Sequence, residues 1–564
     1  MILKALYDYF YSRPDRVPEG MCRKEIEYVI VIDRDGSFVR FESRRIDKKR
    51  CAELIVAAPV SRSSNVAPNV LWDNGKYVLG LNDSDDRHHR SFVGLVMEIA
   101  SSHPDEACMA ALAAFYRRTP EERRMAYGRD PLFDEVSNNA AANMTFMVEG
   151  DCETIAEKAY LIPASEGSDA SPSGVCLVTG RNGRLVRTST GSTIPGCSPN
   201  TALVGFQVKS GYDSYGKQQA YNSPISVEAD FAYTSALKML LSKDSENKTR
   251  LGDRTFLYWC SGRYGRDTES CFGFMVESDK SSEAKGVSAA GVEKLFKSIW
   301  SGTVNTDLDD RFYFLGLAPN AGRMAVVVWE NVQLREFAGK ILQHFDDMSL
   351  VGYRANDKGR STAGVFNMLS AVTLDGKQSE ALPNLCEAVV QSVIQGTRYP
   401  YQLYTSALER IRAELPDRTV TWTRASILKA YINRVTRNNK DNKQLTPMLD
   451  KTNSNPGYLS GRLAAVLEKI QSDVKSGDSI RTRYMAAASA TPSAVFPAML
   501  NLSVHHSEKL SEASRVFYEK TKQEIIEKMP ADGFPSHLDL NDQGRFFVGY
   551  YHQMADFYTK KESE

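Results

Sequence analysis

The densest set of metal-ligating side chains in the sequence is Asp83, Asp85, Asp86, His88 and His89, all within the segment DSDDRHH. Carboxylates and imidazoles grouped in this way are the donors of a metal-dependent phosphohydrolase, whose ion activates a water for attack on phosphorus. A working site needs further ligands from distant segments, and the remaining histidines are His103, His344, His505, His506, His537 and His552. A solvated loop is the simpler reading, and the phosphohydrolase stands as the alternative. A second lure is GYDSYGKQ (211–218), which nearly matches the phosphate-binding loop GxxxxGK[ST]. Gln218 stands where the magnesium-holding hydroxyl belongs, and Asn222, Ser223 and Pro224 separate Lys217 from the next helical stretch. No serine or cysteine sits in a nucleophile elbow. The expectation is a protein without catalytic residues, metal or cofactor.

Binding chemistry is better represented. Between 62 and 76 the sequence combines Arg62, Ser63, Ser64, Asn65, Asn69, Asn74 and Lys76 with Pro68, Trp72 and Gly75. Hydroxyl and amide side chains can bond base edges or phosphate oxygens, and Arg and Lys add charge-assisted contacts. The competing reading is a turn in which the asparagines bond their own backbone. Arg44, Arg45, Lys48, Lys49 and Arg50 form a patch suited to phosphates, opposed only by Asp47. Residues 401–500 hold 15 Lys plus Arg against 8 Asp plus Glu. Arg462, Lys469, Lys475, Arg481 and Arg483 belong to that stretch and would suit a passing single strand, if they share an exposed face. Over the whole chain Lys plus Arg equals Asp plus Glu at 70 each. A free-standing DNA-binding protein usually carries a strong positive excess, so nucleic acid here meets local patches or a larger assembly.

These residues need elements to hold them. With 564 residues, 42% of them hydrophobic, the chain should form about two to four domains of an ordinary globular protein. A helix is expected over 1–12, then strands Glu27–Asp33 and Ser37–Glu42 joined at Asp35 and Gly36. Helical patterns cover 91–117 and 121–127, and loops fill 165–200. Further strands are expected at Thr201–Val208, Thr255–Cys260 and Arg311–Leu317, with helices at Ser226–Leu241 and Leu334–Phe345. Met324–Trp329 (MAVVVW) reads as a strand buried on both faces. After 400 the pattern turns helical: 401–414, 424–438, 458–475, 480–489, 493–505 and 507–528, with a polar hinge at 438–447. The fold class is therefore α+β and multi-domain: a mixed body over 1–398, then a helical bundle over 399–564. Nine scattered cysteines include no C-x-x-C pair, and no run approaches the roughly 18 apolar residues of a membrane span. A soluble, cytoplasmic protein without a signal peptide is expected.

Several segments together resemble one family, the large subunit of the type I-C CRISPR Cascade complex. They are MILKALYDYF (1–10), EYVIVIDRDG (27–36), RSSNVAPNVLWDNGKYVLG (62–80), SYGKQQAYNSPISVEADFAYTSAL (214–237), FYFLGLAPNAGRMAVVVWE (312–330), GRLAAVLEKIQSD (461–473) and YMAAASATPSAVFPAMLNLSVHH (484–506). The resemblance implies a non-catalytic subunit of an RNA-guided surveillance particle. Guide RNA, held with CRISPR backbone subunits, reads the target by pairing, while the large subunit inspects the short adjacent motif (PAM) on double-stranded DNA. It implies support for the R-loop, a hold on the displaced strand, and recruitment of a separate helicase-nuclease in antiviral defence. By carry-over, motif sensing falls at about 1–130, with Arg62, Asn65, Asn69, Asn74 and Lys76 as contacts. The family also implies a small subunit made by internal translation of the same gene. Met448 is the expected start, so 448–564 should resemble that subunit.

Overall fold

The computed structural model describes all residues except 48–49, 61, 63–65, 83, 85, 163–171, 199–200, 209–214, 263–264, 277–287, 305–309, 378–379, 415–419, 439–443, 475–478 and 560–564. It is mixed α+β, with helices dominating the C-terminal region. The chain forms two compact units: Met1–Thr190 with Val204–Lys238, and Gly191–Leu203 with Met239–Glu564. Among the described residues no helix is long and apolar enough to cross a membrane.

In the first unit β1 (Met21–Glu25) pairs with β4 (Glu53–Ala57) in a small antiparallel ribbon. The main sheet has the order β3-β2-β6-β5, from β2 (Tyr28–Ile32), β3 (Phe38–Ser43), β5 (Trp72–Asn74) and β6 (Asn143–Val148). Because side chains alternate along a strand, the apolar run YVIVI buries both faces of β2. Tyr28, Ile30 and Ile32 join the core with helices Arg87–Ser102 and Ala107–Arg117, while Val29 and Val31 pack with Met147 and Val39. The β2–β3 turn forms where the Asp-Gly pair stands. Gly36 has φ of 79°, and a Cβ there would lie 2.4 Å from the Phe115 amide nitrogen, so only glycine fits. Strand β5 sits on the sheet edge, antiparallel to β6, and β7 (Ser173–Val175) pairs with β8 (Asn182–Arg184) in a short antiparallel ribbon.

Thr201–Val208, expected as a strand, forms none. The chain passes from the second unit to the first between Leu203 and Val204, within this segment. The phosphate-loop arrangement fails with it. Residues 211–214 lie outside the described chain, Tyr215 and Gly216 turn with φ of 52° and 71°, and helix Val227–Leu241 begins well past Lys217.

The second unit holds an antiparallel meander in the order β12-β11-β10-β9, from β9 (Lys248–Leu251), β10 (Arg254–Cys260), β11 (Arg311–Asn320) and β12 (Arg323–Gln333). The run MAVVVW lies in β12. It is an edge strand, not a doubly buried one: within β12 only Val328 is buried, and Val326 is 43% exposed. A β-branched run records strand propensity and says little about place in the sheet. One hydrophobic core extends from Leu251 to Ala555. The last strand ends at Gln333, and helices on both sides of 400 share this core with the meander.

Helix Pro456–Asp473 is central to that region. Asn455 caps it by accepting from the Tyr458 amide at 3.0 Å, and Pro456 begins it. It meets helix Leu540–Tyr558 almost backbone to backbone: Cβ atoms at Gly457 and Gly461 would lie 2.5 and 1.8 Å from the Asp542 and Phe546 carbonyl oxygens. This last helix lies beyond the helices expected from sequence, which end at 528, and it is capped by Asp539.

Candidate nucleic-acid interface

The segment after β4 closes on a buried acid. Asp73, in edge strand β5, is 1% exposed. Its Oδ1 accepts from Arg62 Nη1 at 3.2 Å and from the Asn74 amide at 2.8 Å. Its Oδ2 accepts from the Asn69 amide at 2.9 Å and from Arg62 Nη2. Arg62 also donates through Nε to the Ala67 carbonyl at 2.6 Å, and its guanidinium lies 4.2 Å over the Tyr77 ring. Asn69 is buried, and its Oδ1 accepts from the Val60 amide at 2.9 Å. Asn74 Oδ1 caps a short helical turn by accepting from the Lys76 amide at 3.1 Å. Arg62, Asn69 and Asn74 thus hold the loop's own backbone in shape. Asn74 and Lys76 are half-buried, and Ser63, Ser64 and Asn65 lie outside the described residues.

The sheet register sets this loop beside the basic patch. Ser43 of β3 pairs with Tyr28, Tyr28 with Met144, and Met144 with Asp73, in one row across the strands. At roughly 4.8 Å per strand, Ser43 and Asp73 are separated by about 14 Å at one end of the sheet. Arg44 directly follows, with its amide donating to the Glu27 carbonyl at 2.8 Å. The side chains of Arg44, Arg45 and Arg50 are 35%, 40% and 52% exposed, with acid neighbours Glu42, Glu135 and Asp47 at 3.5, 3.6 and 2.8 Å. Such exposed pairs contribute about 0–1 kcal/mol, so a phosphate can replace the carboxylate. Lys48 and Lys49 lie outside the described residues. The backbone spacing of these two strand positions is of the order of a duplex groove, about 12 Å.

Within the Asp83–His89 segment the two histidines pack against this scaffold. His89 is buried, with Nδ1 at 2.9 Å from the Tyr77 carbonyl and Nε2 at 3.2 Å from Arg123 Nη1. A carbonyl only accepts and a guanidinium only donates, so Nδ1 carries the proton and the Nε2 lone pair is occupied. His88 meets the Tyr77 ring edge-on, with centroids 5.1 Å apart. His88 thus buttresses the ring on which Arg62 lies, and His89 holds the Tyr77 backbone. Asp83 and Asp85 are outside the described residues, and among those described no group of three or more metal-ligating side chains forms.

Among the described residues of 401–500, many of the cations are turned inward. Arg424 takes both oxygens of Glu414 at 2.7 Å. Arg434 donates to Asp347 Oδ2 at 2.6 Å, and Arg437 pairs with the other oxygen. Lys429 donates to the Asp346 and Asp347 carbonyls at 3.2 and 3.0 Å, at the end of helix Leu334–Met348 where carbonyls lack helical partners. Burial lowers its ammonium to about 8. Arg462, expected on a strand-binding face, is fully buried. Its Nε donates to Gln553 Oε1 at 3.0 Å and its Nη2 to Glu524 Oε1 at 3.2 Å, joining three helices. Lys469 pairs with Asp473, 5.2 Å over the Tyr558 ring, and Arg481 stands 3.6 Å from Glu468. Arg483 is exposed, and Lys475 is outside the described residues. Two of the balancing acids, Asp347 and Glu524, lie outside 401–500, which is why a count over that stretch misses them.

Residues 3–558 match the family described as CRISPR-associated protein (Cas_Csd1). The chain belongs to that family and is a CRISPR-associated Cascade subunit. No curated protein matches it. Sequence reasoning passed over Asp73 and Tyr77, although both stand in the resembling segment 62–80. An acid set among Arg, Asn and Lys is the one residue there that a phosphate repels, and that mismatch was the available sign of an internal partner.

Proposed function

We propose that the chain is the non-catalytic large subunit of a type I-C complex in the cytoplasm. It reads the PAM in double-stranded target DNA through the loop after β4. The Arg44–Arg50 patch grips the neighbouring phosphates. The same subunit supports R-loop formation, holds the displaced strand, with Arg483 among the contacts, and recruits a separate helicase-nuclease. Its partners are the guide-RNA particle with its backbone subunits, and small subunits translated from within the same gene. The observation that carries this reading is the row Ser43–Tyr28–Met144–Asp73, which sets the strand positions of an amide-rich loop and a cationic patch about one groove width apart in backbone spacing. Membership of the Cascade family supplies the context in which such a surface meets a duplex.

The test is reconstitution with guide RNA and backbone subunits, followed by binding to duplexes that differ only in the motif flanking the target. Binding that depends on the motif, and that weakens and loses salt dependence when Arg44, Arg45 and Arg50 become alanine, is the expected result. Equal binding to all flanks, or phosphodiester cleavage by the purified subunit, overturns it. Met448, 61% exposed between helices Trp422–Thr436 and Pro456–Asp473, is the proposed internal start. Met448→Leu should abolish the short product, and its persistence refutes that start.

A further inference from the structure

Resting on the reading of this loop as the duplex-facing one, we propose that Asp73 is its positioning residue: a buried carboxylate that never meets DNA but sets the shape in which the loop meets it. The bonds of Asp73 reach residues 62, 69 and 74, and through Arg62 they extend to Ala67 and the face of Tyr77. The loop's entry is tied to the same hub, because Asn69, whose amide Asp73 holds, accepts from Val60. Both ends of a turn-rich segment therefore converge on one side chain.

Two features of its surroundings bear on this role. Leu71, two residues before, has φ of 63° while 1% exposed. A branched side chain holds that left-handed conformation only where its surroundings over-determine it. Here Thr145 donates to the Leu71 carbonyl at 2.8 Å, and Trp72 donates through its indole to the Ala57 carbonyl at 2.8 Å. Second, a carboxylate in water-poor surroundings persists only with full hydrogen bonding and an opposite charge, and Arg62 is that charge. Arg62 accordingly serves as counterion first, with its fork committed to Asp73. Asp73→Asn replaces one acceptor oxygen by an N–H₂ group facing amide and guanidinium donors, which disorders the loop while leaving the apolar core untouched.

The experiment compares wild type, Asp73→Asn and Arg62→Lys in the assembled guide-RNA complex. It measures assembly by size, affinity for a single-stranded target, and the ratio of affinities for duplexes with and without the flanking motif. A single-stranded target needs no motif reading, so it reports on general damage. Asp73→Asn is expected to lower the motif ratio roughly tenfold with assembly and single-strand affinity retained, the value of one lost base contact. Arg62→Lys keeps the charge but loses the fork, and should lower the ratio less. If wild type discriminates and both variants match it, Asp73 does not position the loop. A parallel fall of single-strand and duplex affinity also overturns the proposal, because it marks a merely structural role. Should Asp73→Asn fail to assemble, the Arg62→Lys ratio decides. A wild-type complex blind to the motif refutes the functional reading itself, a result distinct from all of these.

Discussion

Replacing Arg462 with alanine should unfold the C-terminal helices before it alters any contact with nucleic acid. The guanidinium is fully buried and bonds Gln553 on one helix and Glu524 on another. Removing it leaves the Gln553 oxygen, in a residue 1% exposed, without its donor and empties the volume of a long side chain. Emptying the volume of a long buried side chain and orphaning a buried acceptor together cost about 3–5 kcal/mol. The smaller figure already shifts the folding equilibrium roughly 100-fold. Arg462→Met should cost less, because Nη1 has no hydrogen-bond partner and an apolar side chain of similar length avoids that desolvation. Urea unfolding followed by tryptophan fluorescence measures both, since Trp422 is buried in the same core and donates to the Leu350 carbonyl at 2.8 Å. In parallel, displaced-strand binding by the assembled complex is measured across a salt series. An unchanged urea midpoint in Arg462→Ala, together with a shallower salt slope, would refute the argument and return Arg462 to the strand-binding surface.

Arg483→Glu, on an exposed cation, should weaken R-loop binding and lower its salt slope by about one, with stability unchanged. Arg481→Glu sets a carboxylate against Glu468, which also accepts from Tyr550 at 2.8 Å, so this variant should lose stability; equal behaviour of the two in a urea titration would contradict the distinction. Gly461→Ala drives a methyl into the Phe546 carbonyl and should cost about 3 kcal/mol or more, whereas a melting curve matching wild type would deny the close helix crossing. Burial lowers the imidazoles of His344 and His552 to about 3, so both are neutral in the fold, while in the unfolded chain they titrate near 6.5. Stability is therefore whole above pH 6.5 and declines as pH falls toward 3, by about 2 kcal/mol for each histidine at pH 5. Urea midpoints across that range should show the decline, and His552→Gln should remove about half of the histidine share; a flat profile would exclude it.

What the sequence determined by itself was local or additive. The Asp-Gly turn, the doubly apolar YVIVI strand, the helical character beyond 400 and the family resemblance all rest on residues adjacent in the chain. Helix 540–558 was legible as well, since Phe547, Val548, Tyr551, Met554 and Tyr558 share one side of it while Asp542, Arg545, His552 and Asp556 share the other, and it was passed over. Tertiary structure alone decided which charges face water. Fifteen cations against eight acids in 401–500 is an additive fact, but Asp347 and Glu524 arrive from outside that stretch and draw several cations into the core. The same holds for the loop after β4, whose shape depends on a carboxylate that composition would have read as hostile to DNA. Burial and ion pairing are relations between distant segments, and a count along the chain carries no distance.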